Sequence, residues 1–157
     1  MGGNHFIYAF VGALAIMMMV AAWSDIQHRI ITNRLNAAIA LLAVPYWFAV
    51  GLSPWPDMAL QVGIALACLA LFYIPFIMGK MGGGDVKFIT AIILWLPPGL
   101  ALPFLIVMSL AGALLTIFMI AYQRIKHKSW NPKVPYGVSI AAGGLWALHQ
   151  QYINQFM

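Results

Sequence analysis

The sequence predicts an all-α, polytopic membrane protein of about six transmembrane helices, and three observations carry that prediction. The 157 residues are 64% hydrophobic and 7% charged, with a mean hydropathy of +0.91. Soluble domains carry about 25% charged residues, so too few polar side chains exist here to cover a water-facing surface. The apolar residues come in long runs separated by short polar or Pro/Gly-rich links. When six helices are drawn through those runs, all Lys and Arg residues fall in alternate links, as expected if they collect on the cytoplasmic side. A different helix count would scatter these charges over both faces. The chain reads as one integral-membrane domain, residues 1–157, with little mass outside the bilayer.

Phe6 to Ser24 contains no charged residue and matches the ~20 residues a spanning helix needs. Met1 to Ser24 contains no Lys or Arg, so the run lacks the basic region of a signal peptide. A polar link follows from Asp25 to Arg34, then a second apolar run from Leu35 to Val50. Gly51 to Asp57 is turn chemistry, and an acid at Asp57 suits the start of the next helix. Met58 to Gly79 is a third span, with Pro75 predicting a kink near its end.

Val86 to Leu96 is apolar but short, and Pro97-Pro98-Gly99 stops it. A fourth helix from about Gly84 to Leu96 would extend ~20 Å against a hydrocarbon core of ~30 Å. That mismatch predicts an Asp85 sunk below the membrane surface. Leu100 to Gln123 is a fifth span, with Pro103 tolerated in its first turn. Arg124 to Lys133 is polar and basic. Val134 to about Tyr152 is the last span, opened by Pro135-Tyr136-Gly137 and carrying Gly143-Gly144 for close helix contact.

This serpentine places Arg29, Arg34, Lys80, Lys87, Arg124, Lys126, Lys128 and Lys133 in the cytoplasm and both termini outside. The net charge of +5 therefore reports topology, and nucleic acid is not an expected partner. The acids are Asp25, Asp57 and Asp85 only. Asp25 and Asp85 fall on the cytoplasmic face, and Asp57 on the opposite one. An aspartate held near hydrocarbon costs roughly 2.5–3.5 kcal/mol, so such a group is a functional candidate by default. Three glycines precede Asp85, and without Cβ atoms they let another chain approach closely.

Two carboxylates brought close in an apolar site share one proton. The ionised member takes a proton from water, and the protonated member polarises a peptide carbonyl. No nucleophile–base set is equally well supplied. Ser24 has no evident base, and Ser109, Thr116 and Ser139 lie in apolar runs where hydroxyls bond back to the helix. Cys68 is the one cysteine, and His5, His28, His127 and His149 show no paired ligand spacing, so no metal or other cofactor is expected.

Gly82-Gly83-Gly84-Asp85 fits the Gly-x-Gly-Asp motif of intramembrane aspartic proteases. Asp25, Arg29 and Ile31-Thr32-Asn33 resemble the Asp-x-x-x-Arg-x-Ile-Pro-Asn segment of type IV prepilin peptidases, with Thr32 where that family usually has Pro. Pro135-Tyr136-Gly137 is similar to that family's Pro-Tyr-Gly. The resemblance implies that Asp25 and Asp85 are catalytic. Gly82, Gly84, Lys87, Arg29, Asn33, Pro135, Tyr136 and Gly137 would support them. It further implies removal of the short leader of a prepilin-like precursor, at the cytoplasmic side of a bacterial inner membrane. The short, cysteine-free first link is similar to the small peptidase-only members that serve Flp/tad-type pili, without methyl transfer. Two alternatives use the same residues differently. One is an ion- or proton-coupled transporter with an Asp relay. The other is a non-catalytic scaffold, with Asp85 capping helix 4 and Asp25 paired with Arg29.

Overall fold

In a computed structural model, residues 3–125 and 134–153 are described. Helix α1 spans Gly3–His28, α2 Asn33–Ala49, α3 Ala59–Ile77, α4 Gly83–Ile93, α5 Pro98–Ile125 and α6 Tyr136–Ile153. A π-type turn, Pro54–Met58, leads into α3. Three segments are long and apolar enough to cross a membrane: His5–His28, Pro54–Ile77 and Pro98–Ile125. The protein is an all-α helical membrane protein. Large apolar side chains such as Leu66, Ile106, Leu110, Leu114 and Phe118 point outward, where lipid rather than water would meet them.

Helix α4 is the enclosed element. Its 11 residues amount to only ~17 Å at ~1.5 Å per residue. Phe88, Ile89, Ile92 and Ile93 are fully buried, packed with Leu14 and Met18 of α1, Ile39 of α2, Phe104 of α5 and Ile140 of α6. Helix α6 lies tight against α1 and α5. A Cβ on Gly144 would fall 2.6 Å from the Met18 sulfur, and one on Gly143 would fall 3.1 Å from the Met108 backbone. The close contact expected at Gly143-Gly144 is present.

Because α4 ends inside the fold, its last carbonyls find no helical partner and no bulk water. Side chains satisfy them. Gln61 Nε2 donates to Ile93 O at 2.9 Å, to Leu94 O at 3.1 Å and also to Leu96 O. Trp47 Nε1 donates to Leu94 O at 2.7 Å. Trp95 Nε1 ties the same turn to α2 through Ile39 O at 2.9 Å.

Several boundaries differ from expectation. Asp25 is not in a link: α1 continues through it to His28, because nothing between Ser24 and His28 breaks a helix. The break comes at Arg29, whose φ of 57° is a left-handed conformation usual at helix ends for Gly and rare for other residues. Helix α4 starts at Gly83 and stops at Ile93, and the run to Leu96 is turn held by Gln61 and Trp47. Asp57 closes the turn before α3, its Oδ2 accepting from Ser53 N–H at 3.1 Å and Ser53 Oγ–H at 2.8 Å. Lys126, His127, Lys128 and Lys133 lie outside the described residues.

Candidate active site

Asp25 sits in the last turn of α1 and is buried, 6% exposed. Its Oδ2 accepts a 2.7 Å hydrogen bond from the backbone N–H of Gly137, in the first turn of α6. A helix start offers unpaired N–H groups and a positive dipole end, so it suits a carboxylate. Only glycine fits there. A Cβ at position 137 would lie 2.9 Å from the Cβ and Oδ2 of Asp25 and 2.9 Å from Ile31 Cδ1. Pro135 is buried just before the helix, and Tyr136 is partly exposed.

Asp85 occupies the third position of α4, with Gly82 as the cap residue. Its carboxyl turns back toward that cap, as the acid of a capping box does, and a Cβ on Gly82 would meet its Oδ2 at 2.9 Å. The other two glycines admit neighbours. A Cβ on Gly83 would lie 3.0 Å from Phe76 of α3, and one on Gly84 would lie 3.0 Å from Ile31 O. Ile31 thus touches both glycine segments, the one beside Asp25 and the one beside Asp85.

The two carboxylates are close enough to act on each other. Asp85 is half-buried and near enough to Asp25 for the two charges to repel. Arg29 is near enough for its charge to be felt at Asp25, and its N–H bonds Asp25 O at 3.0 Å. Lys87 and Asn33 do not touch either carboxylate. They bind each other, Nζ to Oδ1 at 2.9 Å, and tie α4 to the start of α2. Thr32 caps α2, accepting from Leu35 N–H at 3.3 Å, so the residue standing where the prepilin peptidases usually have Pro still starts a helix.

Sequence reasoning missed Asn36. It is 4% exposed, and its Nδ2 donates to Gly84 O at 3.0 Å, holding the glycine turn from the α2 side. An asparagine in the second residue of an otherwise apolar run was the available signal. An apolar groove of about 530 Å³ opens between α3, α5 and α6. Met81 and Tyr136, the neighbours of Gly82 and Gly137, line it. Among the described residues, no three His, Cys, Asp or Glu side chains converge as a metal site.

A family model described as the type IV leader peptidase family matches residues 12–117. The chain belongs to the type IV leader peptidase family. The matched span includes Asp25, Asn33, the glycine run and Asp85, and ends before Pro135-Tyr136-Gly137. The Gly137–Asp25 hydrogen bond ties that last segment to the matched span. No curated protein and no solved structure matches the chain.

Proposed function

We propose that this protein is an aspartic endopeptidase whose single membrane domain removes the short leader from a prepilin-like precursor. The reaction takes place at the cytoplasmic face of a bacterial inner membrane. The carrying observation is that Asp25 of α1 and Asp85 of α4 meet across glycine segments that both pack on Ile31, near enough for the two charges to repel. Such a pair titrates as a unit. Asp25, which accepts the Gly137 N–H bond and feels the Arg29 charge, is the better held as the anion and takes a proton from the attacking water, while Asp85 holds the shared proton. Asp85 then donates a hydrogen bond to the scissile carbonyl.

The described basic residues Arg29, Arg34, Lys80, Lys87 and Arg124 fall in or beside the α1–α2 and α3–α4 links and at the end of α5, that is in alternate links, which supports a cytoplasmic placement of those links. The short α4 supports an Asp85 below the membrane surface. The groove lined by Met81 and Tyr136 gives the precursor's apolar segment a place beside the pair. Flp-type pilin precursors are the substrate class in this reading, with no methyl transfer.

The test is cleavage of a prepilin-like peptide by the purified protein in detergent, with the products read by mass spectrometry. Wild type produces one defined cut. Asp25→Asn and Asp85→Asn each lower the rate by on the order of 10²–10⁴-fold, while size-exclusion elution and helical content stay unchanged. A transporter relay yields no cut peptide at all. Wild-type cleavage by the double variant Asp25→Asn/Asp85→Asn would sink the proposal.

A further inference from the structure

Two carboxylates on different helices work together only if something fixes the distance between them. The α1–α2 link reaches both. From His28 to Arg34 every residue of this link is exposed except Ile31, which is 5% exposed. Ile31 meets the two glycine segments with different atoms. A Cβ at position 84 would lie 3.0 Å from Ile31 O, 3.5 Å from its Cβ and 3.6 Å from its N. A Cβ at position 137 would lie 2.9 Å from Ile31 Cδ1. The backbone of Ile31 thus rests on the start of α4, one residue before Asp85. The tip of its side chain rests on the start of α6, where Gly137 holds Asp25.

The link has little freedom to give way. Arg29 turns it sharply through a left-handed conformation, and Ser24 Oγ donates to Ile30 O at 2.8 Å. Directly after Ile31, Thr32 caps α2. Asn33 then binds Lys87, and Asn36 binds Gly84 O, so the start of α2 is fastened to α4 on both sides of Asp85. The side chain is stiff as well, because branching at Cβ restricts its first torsion.

We propose that Ile31 is a positioning residue: a spacer, seated between Gly84 and Gly137, that sets the separation of Asp25 and Asp85. It touches no reacting atom. The inference rests on the dyad reading for its catalytic consequence, and on packing alone for the spacing itself. A residue that only filled the core would lose stability on shortening and leave the rate of the folded molecule alone.

The experiment shortens the spacer by one carbon with Ile31→Val, a change mild enough to keep the fold, and reads cleavage and geometry separately. In peptide cleavage, Ile31→Val should lower kcat roughly tenfold with KM little changed. The double variant Ile31→Val/Gly137→Ala should lose less than the product of the two single losses, because valine vacates the room that the alanine methyl needs. The geometry is read without cleavage. Cys68 is the one native cysteine, so Asp25→Cys/Asp85→Cys in a Cys68→Ala background presents a single thiol pair. Bifunctional thiol reagents of graded length then measure the separation. With Ile31 in place one length should bridge fastest, and in Ile31→Val that length should lose its advantage. Altered bridging beside a wild type that cuts no peptide supports the spacer and sinks the peptidase reading instead. Bridging that Ile31→Val leaves unchanged overturns the proposal, as does an unchanged kcat in that variant of an active wild type.

Discussion

At one end of the bundle, two carboxylates converge on glycines that leave room for them. Asp25 receives one hydrogen bond, from Gly137, and Asp85 turns to its own cap residue. At the other end, Gln61, Trp47 and Trp95 are tied to the carbonyls of the α4–α5 turn and of α2. Both ends solve the problem of placing polar groups in an apolar fold, but with opposite outcomes. The first end keeps ionisable oxygens able to exchange protons. The second uses side-chain N–H groups to complete a backbone that stops short. The contrast teaches that α4 is short for two linked reasons. Its start turns Asp85 back on Gly82 among the packed glycines, and its end, buried in the fold, must then be capped from α2 and α3.

If that division is right, substitutions at the first end change chemistry out of proportion to stability, and those at the second do the reverse. Gly137→Ala should have the largest effect on activity. The added methyl strikes the Asp25 side chain and moves the carboxylate, and a displacement near 1 Å costs on the order of 10²-fold in rate. Peptide cleavage measured beside thermal unfolding checks the imbalance. Overpacking accounts for only about 1–3 kcal/mol of stability. Gln61→Leu should show the converse. It leaves carbonyls at Ile93 and Leu96 unpaired, at about 1–3 kcal/mol each, so the melting temperature falls while the surviving folded fraction cleaves at nearly the wild-type rate.

Asn36→Ala should have the smallest effect of the three and would sharpen the comparison. It removes one hydrogen bond to Gly84 O, worth about 1 kcal/mol, and loosens the turn that carries Asp85. A loss of roughly tenfold in kcat, with KM little changed, would mark Asn36 as a positioning residue. An effect on stability alone would assign it to the fold.

Much of this was legible in the residues. Long uncharged runs and Pro/Gly links gave six helices, and the short run after Asp85 foretold the truncated α4. The glycine run was legible because only glycine lets another chain come so near, whereas Gly137 was legible through its likeness to the family's Pro-Tyr-Gly. Other features were not. Asp25 lies inside α1 because the helix end is set by the left-handed Arg29, and no side-chain pattern announces a positive φ at arginine. Gln61 and Trp47 looked like ordinary members of apolar helices. Their role depends on where α4 ends in space, which no local pattern encodes. Asn36 was visible as a polar residue in an apolar run, but its partner lies 48 residues away.

The central claim is that Asp25 and Asp85 share a proton as one unit, and carboxyl titration tests it most directly. The chain holds three acidic side chains, all aspartates, so ¹³Cγ-aspartate labelling gives three signals, and Asp57→Asn removes and thereby assigns the third. The Asp85 signal should titrate as one member of a coupled pair in the wild type. In Asp25→Asn, removal of the neighbouring negative charge should shift that titration to lower pH, because the like charge that disfavours ionisation is gone. An Asp85 signal that titrates at the same pH with and without Asp25 would contradict the pairing, and with it the proposed dyad.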